Sequence, residues 1–407
     1  MSGPLSSISS GLDRITGKIP APLGWLLGIG AAVLFGLSAG NGNLMDASIQ
    51  TLAFVIMALG LNIVVGFAGL LDLGYVAFYA IGAFVAGYLM SPHFASVNGG
   101  EGIHFLAQSE NDFGGIPGIH INFWIVAFLA AAFTALWGAL LGAPTLRLRG
   151  DYVAIVTLAF GEIVPRVFEN STEGLFGFIG NTDWSNGRQG ITPIDKITLI
   201  PGVESTAINY TENLLYVFFV ALAMLCLVIF VNRRLRDSRI GRAWIAVRED
   251  EVAAAAQGVN LVRTKLWAYA IGAALGGFAG VFLGAYNNTV NVDQFEFGFS
   301  VFILAMIILG GLGNILGVIL GAIALSMINR FLLPQLDSVP EAIGLDFDVT
   351  AVSFGIFGFL LVLMMVIRPE GLVPNRRRAL ELHEGEIEGG ENTGVVSTDQ
   401  MYEVRQA

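Results

Sequence analysis

The chain has 407 residues, of which 55% are hydrophobic and only 13% are charged. A soluble globular domain carries roughly 25% charged residues, and a disordered chain combines high charge with low hydrophobicity, so both classes are excluded. The net charge of -11 excludes nucleic acid as a partner, because binding a polyanion needs a basic surface. The composition indicates a membrane protein.

Apolar runs recur along the chain at about the 20 residues that a helix needs to cross a bilayer. We therefore predict an all-α fold, a polytopic transmembrane helical bundle of about ten spans. The predicted spans lie near residues 23–40, 49–65, 74–90, 122–142, 152–169, 213–231, 264–285, 297–311, 314–332 and 350–367.

The basic residues lie mostly on one side of these spans. With the N-terminus inside the cell, sixteen of the 21 lysines and arginines fall in segments on that side, and such segments tend to remain cytoplasmic. Both termini are therefore predicted to be cytoplasmic. The predicted organisation is an N-terminal cytoplasmic segment, 1–22, a transmembrane domain, 23–379, and a tail, 380–407. The tail has seven acids against one arginine, which predicts a solvated, disordered end.

Enzyme motifs are poorly matched. Residues 36–40 have the letters of a G-x-S-x-G nucleophile elbow, but they end a hydrophobic run, and no span contains a histidine to act as base. Gly17 and Lys18 lack the other residues of a phosphate-binding P-loop. Cys226 is the sole cysteine, and the four histidines have no metal-ligand spacing. We predict no catalytic residue, metal or cofactor in this chain, and no enzymatic activity of its own.

A glycine-rich interruption separates the second and third spans at residues 66–74. Broken helices and polar groups at membrane depth are costly unless they line a cavity, so this segment is a candidate translocation pathway. The alternative, which the topology favours, is a helix hairpin in which Asp72 is the N-cap of the next span. The candidate pathway residues are Asn62, Gly66, Gly69, Asp72, Tyr75, Phe78, Tyr79, Thr157 and Glu162.

Two further hypotheses concern the spans. Glu162 and Arg166 have the i, i+4 spacing of a helical ion pair, and the alternative is that Arg166 faces an outer vestibule and meets a substrate carboxylate. The sequence Gly-Phe-Ala-Gly occurs at residues 66–69 and again at 277–280. In spans that run in opposite directions, this match is the pattern of an inverted repeat.

The loop 232–263 is predicted to lie in the cytoplasm and to contain a helix over residues 242–257 that ends at Gly258. Trp244, Val247 and Glu251 share one face of that helix by their spacing, while Arg248, Glu249 and Asp250 project charges. Such a helix suits docking onto a soluble partner, and the alternative is a solvated interfacial loop.

Residues 235–251 with Gly258 resemble the coupling segment of the LivM-type permeases of branched-chain amino-acid ABC transporters. Four more stretches resemble this family in the same order, namely 66–83, 148–163, 308–314 and 368–372. The outer loop 170–212 and the acidic tail depart from the family pattern. The resemblance covers roughly residues 52–372.

The resemblance implies a permease subunit in a bacterial inner membrane, in contact with membrane lipid. It also implies a homologous second permease, two cytoplasmic ATPase subunits that hold ATP and Mg, and a periplasmic or lipid-anchored binding protein. The implied substrates are branched-chain amino acids or similar small amphipathic solutes. The residues implied to couple to the ATPase are Arg242, Trp244, Arg248, Glu249, Asp250, Glu251 and Gly258.

Two alternatives to this function stay open, and a third is disfavoured. A urea or short-amide ABC permease of the same superfamily is the nearest alternative. A gradient-driven secondary transporter or channel would need no docking helix. An intramembrane hydrolase is disfavoured because no span contains a histidine.

Overall fold

The computed structural model describes residues 21–40, 42–105, 117–145, 152–173, 183–197, 214–336, 353–367 and 371–373. The predicted cytoplasmic N-terminus and acidic tail lie almost entirely outside these residues. The described part of the chain is mostly helical. Its helices are α1 (Ala21–Ala39), α2 (Asn43–Phe67), α3 (Val76–Leu89), α4 (Phe123–Thr145), α5 (Tyr152–Glu169), α6 (Leu214–Asp237), α7 (Arg239–Glu249), α8 (Glu251–Ala256), α9 (Leu261–Asn287), α10 (Phe297–Gly310), α11 (Ile315–Gln335) and α12 (Ser353–Ile367).

A helix coincides with each of the ten apolar segments predicted as spans. Five of these helices, α2, α4, α6, α9 and α11, are long and apolar enough to cross a membrane. The apolar helices α3 and α10 are shorter, as is the apolar part of α1. The helical, multi-pass character of the chain is therefore confirmed, while the ten-span count and the cytoplasmic termini stay predictions.

Helix α2 lies at the centre of the bundle and is buried from Ala47 to Asn62. A helix that is apolar on every side is removed from water either by a protein core or by a membrane. Helices α6, α9, α10 and α11 surround it. The few polar side chains of α2 are hydrogen-bonded, as between Thr51 and Ser326, whose hydroxyl oxygens lie 2.8 Å apart.

Helices α3, α4 and α9 pack through small residues. Gly82 of α3 lies so close to α9 that a methyl group there would overlap the backbone of Gly277. Gly277 in turn lies against the side chain of Thr134 from α4. Small residues at helix interfaces let backbones approach and make van der Waals contact, which is the main attraction between helices in lipid. These three helices therefore form one closely packed group.

The repeated Gly-Phe-Ala-Gly sequence has two different local structures. Residues 66–69 end helix α2, whereas residues 277–280 lie in the middle of the continuous helix α9. The match therefore reflects a composition rich in glycine and gives no support to an inverted repeat.

Three short strands lie at one end of the bundle, called the strand end below: β1 (Met90–Ser91), β2 (Ile103–Phe105) and β3 (Ile119–Ile121). Their order is β1-β3-β2, with β1 antiparallel and β2 parallel to β3. His120 in β3 is buried and its Nδ1 lies 2.9 Å from Oδ2 of Asp195. Burial raises the pKa of Asp195, and the hydrogen bond with His120 opposes this change. The strands are an addition to the predicted all-α fold.

Replacing Gly82 with alanine is expected to lower the apparent Tm of the detergent-purified protein. The added methyl group must separate the backbones of α3 and α9, and overpacking of this kind costs about 1–3 kcal/mol. Gly358→Ala is the matched control, because no atom lies within 4 Å of the added methyl group. Equal Tm values for the two variants in a thermal unfolding assay would contradict the packing described here.

Candidate functional site

The central helix is interrupted where the glycine-rich segment predicts a break. The last turn of α2, Ile63–Phe67, is a π-helix, and the chain then has no regular structure until Val76. Gly69 has φ +71°, in the left-handed region that favours glycine. A helix end leaves carbonyl groups with no partner in the helix, so this break needs hydrogen-bond donors from elsewhere in the protein.

Two hydrogen bonds with distant residues, Arg248 and Gly313, hold the broken end of α2. Arg248 of α7 donates a hydrogen bond from Nη1 to the carbonyl oxygen of Gly66. The buried Asn62 accepts a hydrogen bond at Oδ1 from the backbone N–H of Gly313, at 3.0 Å. A guanidinium at a helix C-terminus satisfies a carbonyl and interacts favourably with the helix dipole. The prediction that Arg248 projects its charge outward is therefore wrong, because the carbonyl groups of the break draw it into the bundle.

Asp72 is only 1% exposed and closes a local turn. Its Oδ1 accepts a hydrogen bond from the N–H of Gly74 at 2.9 Å. Tyr75 is at the N-cap position of the next helix, and its side chain makes no capping hydrogen bond. The prediction that Asp72 is the N-cap of this helix is wrong, because the helix begins four residues later, at Val76. The Asp72 carboxylate instead accepts from the N–H group two residues further on, as in an Asx turn.

Thr157 connects α5 to the break. Its hydroxyl oxygen accepts a hydrogen bond from the N–H of Leu73 at 3.1 Å and donates to the carbonyl of Ala154, also at 3.1 Å. Gly74 packs directly against the backbone of α5 at Thr157 and Gly161. The structure thus brings Asp72 and Thr157, which were both predicted as pathway residues, to the same place.

Most of the predicted aromatic face is core. The hydroxyl of Tyr75 donates to the carbonyl of Gly272 at 3.0 Å. The ring of Tyr79 lies 4.9 Å from that of Phe295, in an edge-to-face contact. Both tyrosines are buried against neighbouring helices, whereas Phe78 borders a cavity.

That cavity, called the Asp72 cavity below, lies between the break, α3, α4, α5 and α9. It has a volume of about 10 Å³, which is the room of one water-sized group. The residues that line it include Asp72, Phe78, Thr145, Thr157, Phe160 and Tyr269. Sequence reasoning missed Tyr269, because nothing in its local sequence relates it to Asp72, which is 197 positions earlier.

Glu162 and Arg166 lie at the strand end of α5 and are both exposed. Arg166 binds Glu169 rather than Glu162, with Nη1 2.5 Å from Oε2, and Glu169 also accepts a hydrogen bond from Nε of Arg188 at 2.6 Å. The predicted Glu162–Arg166 pair is therefore wrong. Arg166 pairs instead with Glu169, three residues later, which also binds Arg188. Glu162 and Arg166 line a cavity of about 400 Å³ together with Arg188 and Glu296.

Helix α7 lies at the opposite end of the bundle, called the coupling end below, and is anchored by its apolar face. Trp244 is fully buried and its Nε1 donates to the carbonyl of Thr264 in α9 at 2.8 Å. Val247, one turn later, is 2% exposed. The predicted apolar face of this helix is confirmed for these two residues.

The predicted helix over 242–257 is two helices. Asp250 has an extended backbone between them, and its Oδ1 accepts hydrogen bonds from the N–H groups of Val252 at 2.7 Å and Ala253 at 3.0 Å. Aspartate is among the best N-cap residues, so it begins a second helix here rather than continuing the first. Gly258, with φ +84°, ends α8 as predicted.

The exposed faces of α7 and α8, called the coupling surface below, include Arg242, Glu249 and Asp250. Glu251 begins the second helix, α8, so the predicted face of Trp244 and Val247 does not continue to it; its Oε1 lies 2.6 Å from Nζ of Lys265 in α9. Helix α8 is composed almost entirely of apolar residues, yet only Ala254 is buried. Val252 is 80% exposed. An apolar helix left open among charged residues has the composition of a docking site.

The chain matches the family described as branched-chain amino acid transport system / permease component over residues 43–367. The high-affinity branched-chain amino acid transport system permease protein LivM of Salmonella typhimurium is 37% identical over 406 residues, covering 96% of this chain and 83% of that protein. The probable LivM permease protein of Methanocaldococcus jannaschii is 26% identical over 337 residues, covering 79% of this chain and 91% of that protein.

The LivH permease protein of Escherichia coli K12 is 33% identical over 153 residues, which cover 37% of this chain and 44% of that protein. No solved structure gives a significant match. The family match spans well over half of the chain, and the first relative is similar along almost the whole of it. The chain therefore belongs to the family of branched-chain amino acid transport permeases.

Proposed function

We propose that the chain is the permease subunit of an ATP-driven importer of branched-chain amino acids in a bacterial inner membrane. The observation that carries the proposal is the bond between Arg248 of α7 and Gly66 at the break in the central helix. It joins a surface suited to docking a soluble partner directly to an interrupted span. The names of the LivM relatives support the substrate class.

The topology proposed for this function has ten spans, with both termini and the coupling surface in the cytoplasm. Arginines crowd the coupling end, including Arg233, Arg234, Arg236 and Arg239. The described residues of the strand end carry several acids, including Glu101, Asp183, Asp293 and Glu296. This asymmetry is the one expected of a cytoplasmic coupling end.

The proposed partners follow from the same arrangement. Two ATPase subunits, which would hold ATP and Mg, dock from the cytoplasm, one of them on the coupling surface of this chain. A homologous second permease completes the pathway, and the similarity to LivH is consistent with a paired arrangement. A periplasmic or lipid-anchored binding protein delivers the solute to the strand end, where the cavity of about 400 Å³ opens.

In this proposal, the ATPase moves α7, and α7 moves two helices of the bundle. Arg248 binds the end of α2, and Trp244 binds the start of α9. A displacement of α7 must therefore shift the break in α2 relative to its neighbours or break these bonds. The Asp72 cavity borders that break, so the movement acts where a pathway is predicted.

A gradient-driven transporter is the rival function, and it has no use for the coupling surface. Uptake into proteoliposomes that depends on internal ATP and persists with an ionophore supports the importer, whereas uptake that an ionophore abolishes and ATP does not affect contradicts it. A urea or short-amide permease differs in the ligand of its binding protein, so the ligand that co-purifies with that protein distinguishes the two substrates.

Val252→Asp is expected to abolish co-purification of the ATPase with this chain. The substitution places a charge on the most exposed apolar residue of the coupling surface, where a partner would have to desolvate it. Val252→Thr, which keeps the shape without a charge, is the control and is expected to retain the ATPase. A Val252→Asp complex that stays intact in affinity purification would contradict docking at α8.

Arg248→Ala is expected to reduce the number of amino acids taken up per ATP hydrolysed by about tenfold, because a lost charged hydrogen bond is worth roughly 1.5–3 kcal/mol. Arg248→Lys, which keeps the charge near Gly66, should recover part of that ratio. Arg263→Ala removes an exposed arginine of the same loop and serves as the control. The ratio is measured from parallel uptake and phosphate-release assays on the same proteoliposomes. An unchanged ratio in Arg248→Ala would refute transmission through this bond.

A further inference from the structure

Two side chains that line the Asp72 cavity each have a buried polar atom with no hydrogen-bond partner among the described residues. These atoms are Oδ2 of Asp72 and the hydroxyl oxygen of Tyr269. The side chains are 1% and 2% exposed, respectively, and they enter the cavity from different elements, the break and α9. A buried carboxylate oxygen without a donor costs free energy, so its retention needs a reason.

The chemistry of the other lining residues selects a cationic group. The hydroxyl of Thr145 donates to Gly142 of its own helix, and the hydroxyl of Thr157, which lies beside the Asp72 carboxyl group, donates to Ala154. None of the described lining residues is basic, and the rings of Phe78 and Phe160 border the space. A carboxylate together with aromatic rings attracts a cation through charge and through the ring quadrupole.

The size and the donor set limit which cation fits. A volume of about 10 Å³ accepts one small group. Divalent Mg and Ca need six or more oxygen ligands, counting water, whereas the described side chains offer this cavity two oxygens without a partner and there is no room for a hydration shell. The remaining candidates are monovalent, either an ammonium group or a small free cation.

We propose that Asp72 and Tyr269 bind a single monovalent cationic group in the Asp72 cavity. One source of that group is the α-ammonium of an amino acid in transit, and this source rests on the proposed function. The other source is a free monovalent cation. The site lies on the segment that Arg248 ties to α7, so a movement of the coupling surface changes the site directly.

The site is tested on the purified full chain by comparing its Tm in ammonium chloride and in N-methyl-D-glucamine chloride at equal ionic strength. The ammonium ion is expected to raise the Tm of the wild type, because a ligand of the folded state stabilises it. Asp72→Asn keeps the shape and the hydrogen bond from Gly74 but loses the charge, so its two Tm values should coincide. Thr134→Val, which lies outside the cavity and whose lost hydroxyl is bonded to Ala130 within its own helix, should keep the wild-type shift.

Equal Tm values for the wild type in the two salts, or a shift that persists in Asp72→Asn, would overturn the proposal and leave a bridging water as the occupant. If Asp72→Asn does not fold, Tyr269→Phe decides, since it removes one oxygen and no charge. A shift in Tyr269→Phe as large as that of the wild type then overturns the site.

The source is identified by leucine uptake in proteoliposomes that contain the whole transporter, ATP and loaded binding protein. If the ammonium of leucine binds, replacing sodium and potassium leaves wild-type uptake unchanged, and Asp72→Asn lowers the maximal rate about tenfold. If a free cation binds, the same replacement slows the wild type. A wild-type rate in Asp72→Asn in all salts overturns a role in transport. Absence of ATP-dependent uptake by the wild type would refute the proposed function and leave the Tm result standing.

Discussion

The backbone of the broken central helix imposes the constraint on which the rest of the site depends. Where α2 ends at Phe67, carbonyl groups of buried residues such as Gly66 lose their helical partners, and each needs a donor. The solution uses residues far apart in the chain. Arg248 supplies a guanidinium to Gly66, and Asn62 positions the turn at Gly313 beside the break. The coupling helix is therefore part of the bundle interior as well as of its surface.

This arrangement explains why the coupling elements are held so firmly. Trp244 is buried and hydrogen-bonded to α9, and Lys265, itself largely buried, binds Glu251 at the start of α8. Exposed ion pairs contribute little, whereas buried aromatic anchors and charged bonds to backbone resist displacement. Helices α7 and α8 thus combine an open outer face with a fixed inner one, which is what the proposed transmission of force from an ATPase would require.

The sequence was sufficient for the features that depend on local pattern. Helix α5 runs from Tyr152 to Glu169 as predicted, and glycine spacing located the break, because hydrophobic run length and backbone freedom are local properties. Tertiary contacts were not accessible in this way. In the sequence, Arg248 is indistinguishable from a charged residue of a solvated loop, and its partner Gly66 is 182 positions away. At Asp250, good helix formers and a strong N-cap compete, and the sequence alone did not indicate which prevails.

The close contact between Gly82 of α3 and Gly277 of α9 limits how the bundle can open. Because Gly82 and Gly277 place two backbones in contact, and Thr134 fills the space on the other side of Gly277, helices α3, α4 and α9 behave as one rigid block. Helix α5 supplies the opposite wall of the Asp72 cavity through Thr157 and Phe160, and it meets the break through the close contact of Gly74 with Gly161. In the proposed pathway, widening the cavity for a whole amino acid requires α5 to move away from the block, which separates Gly74 from Gly161.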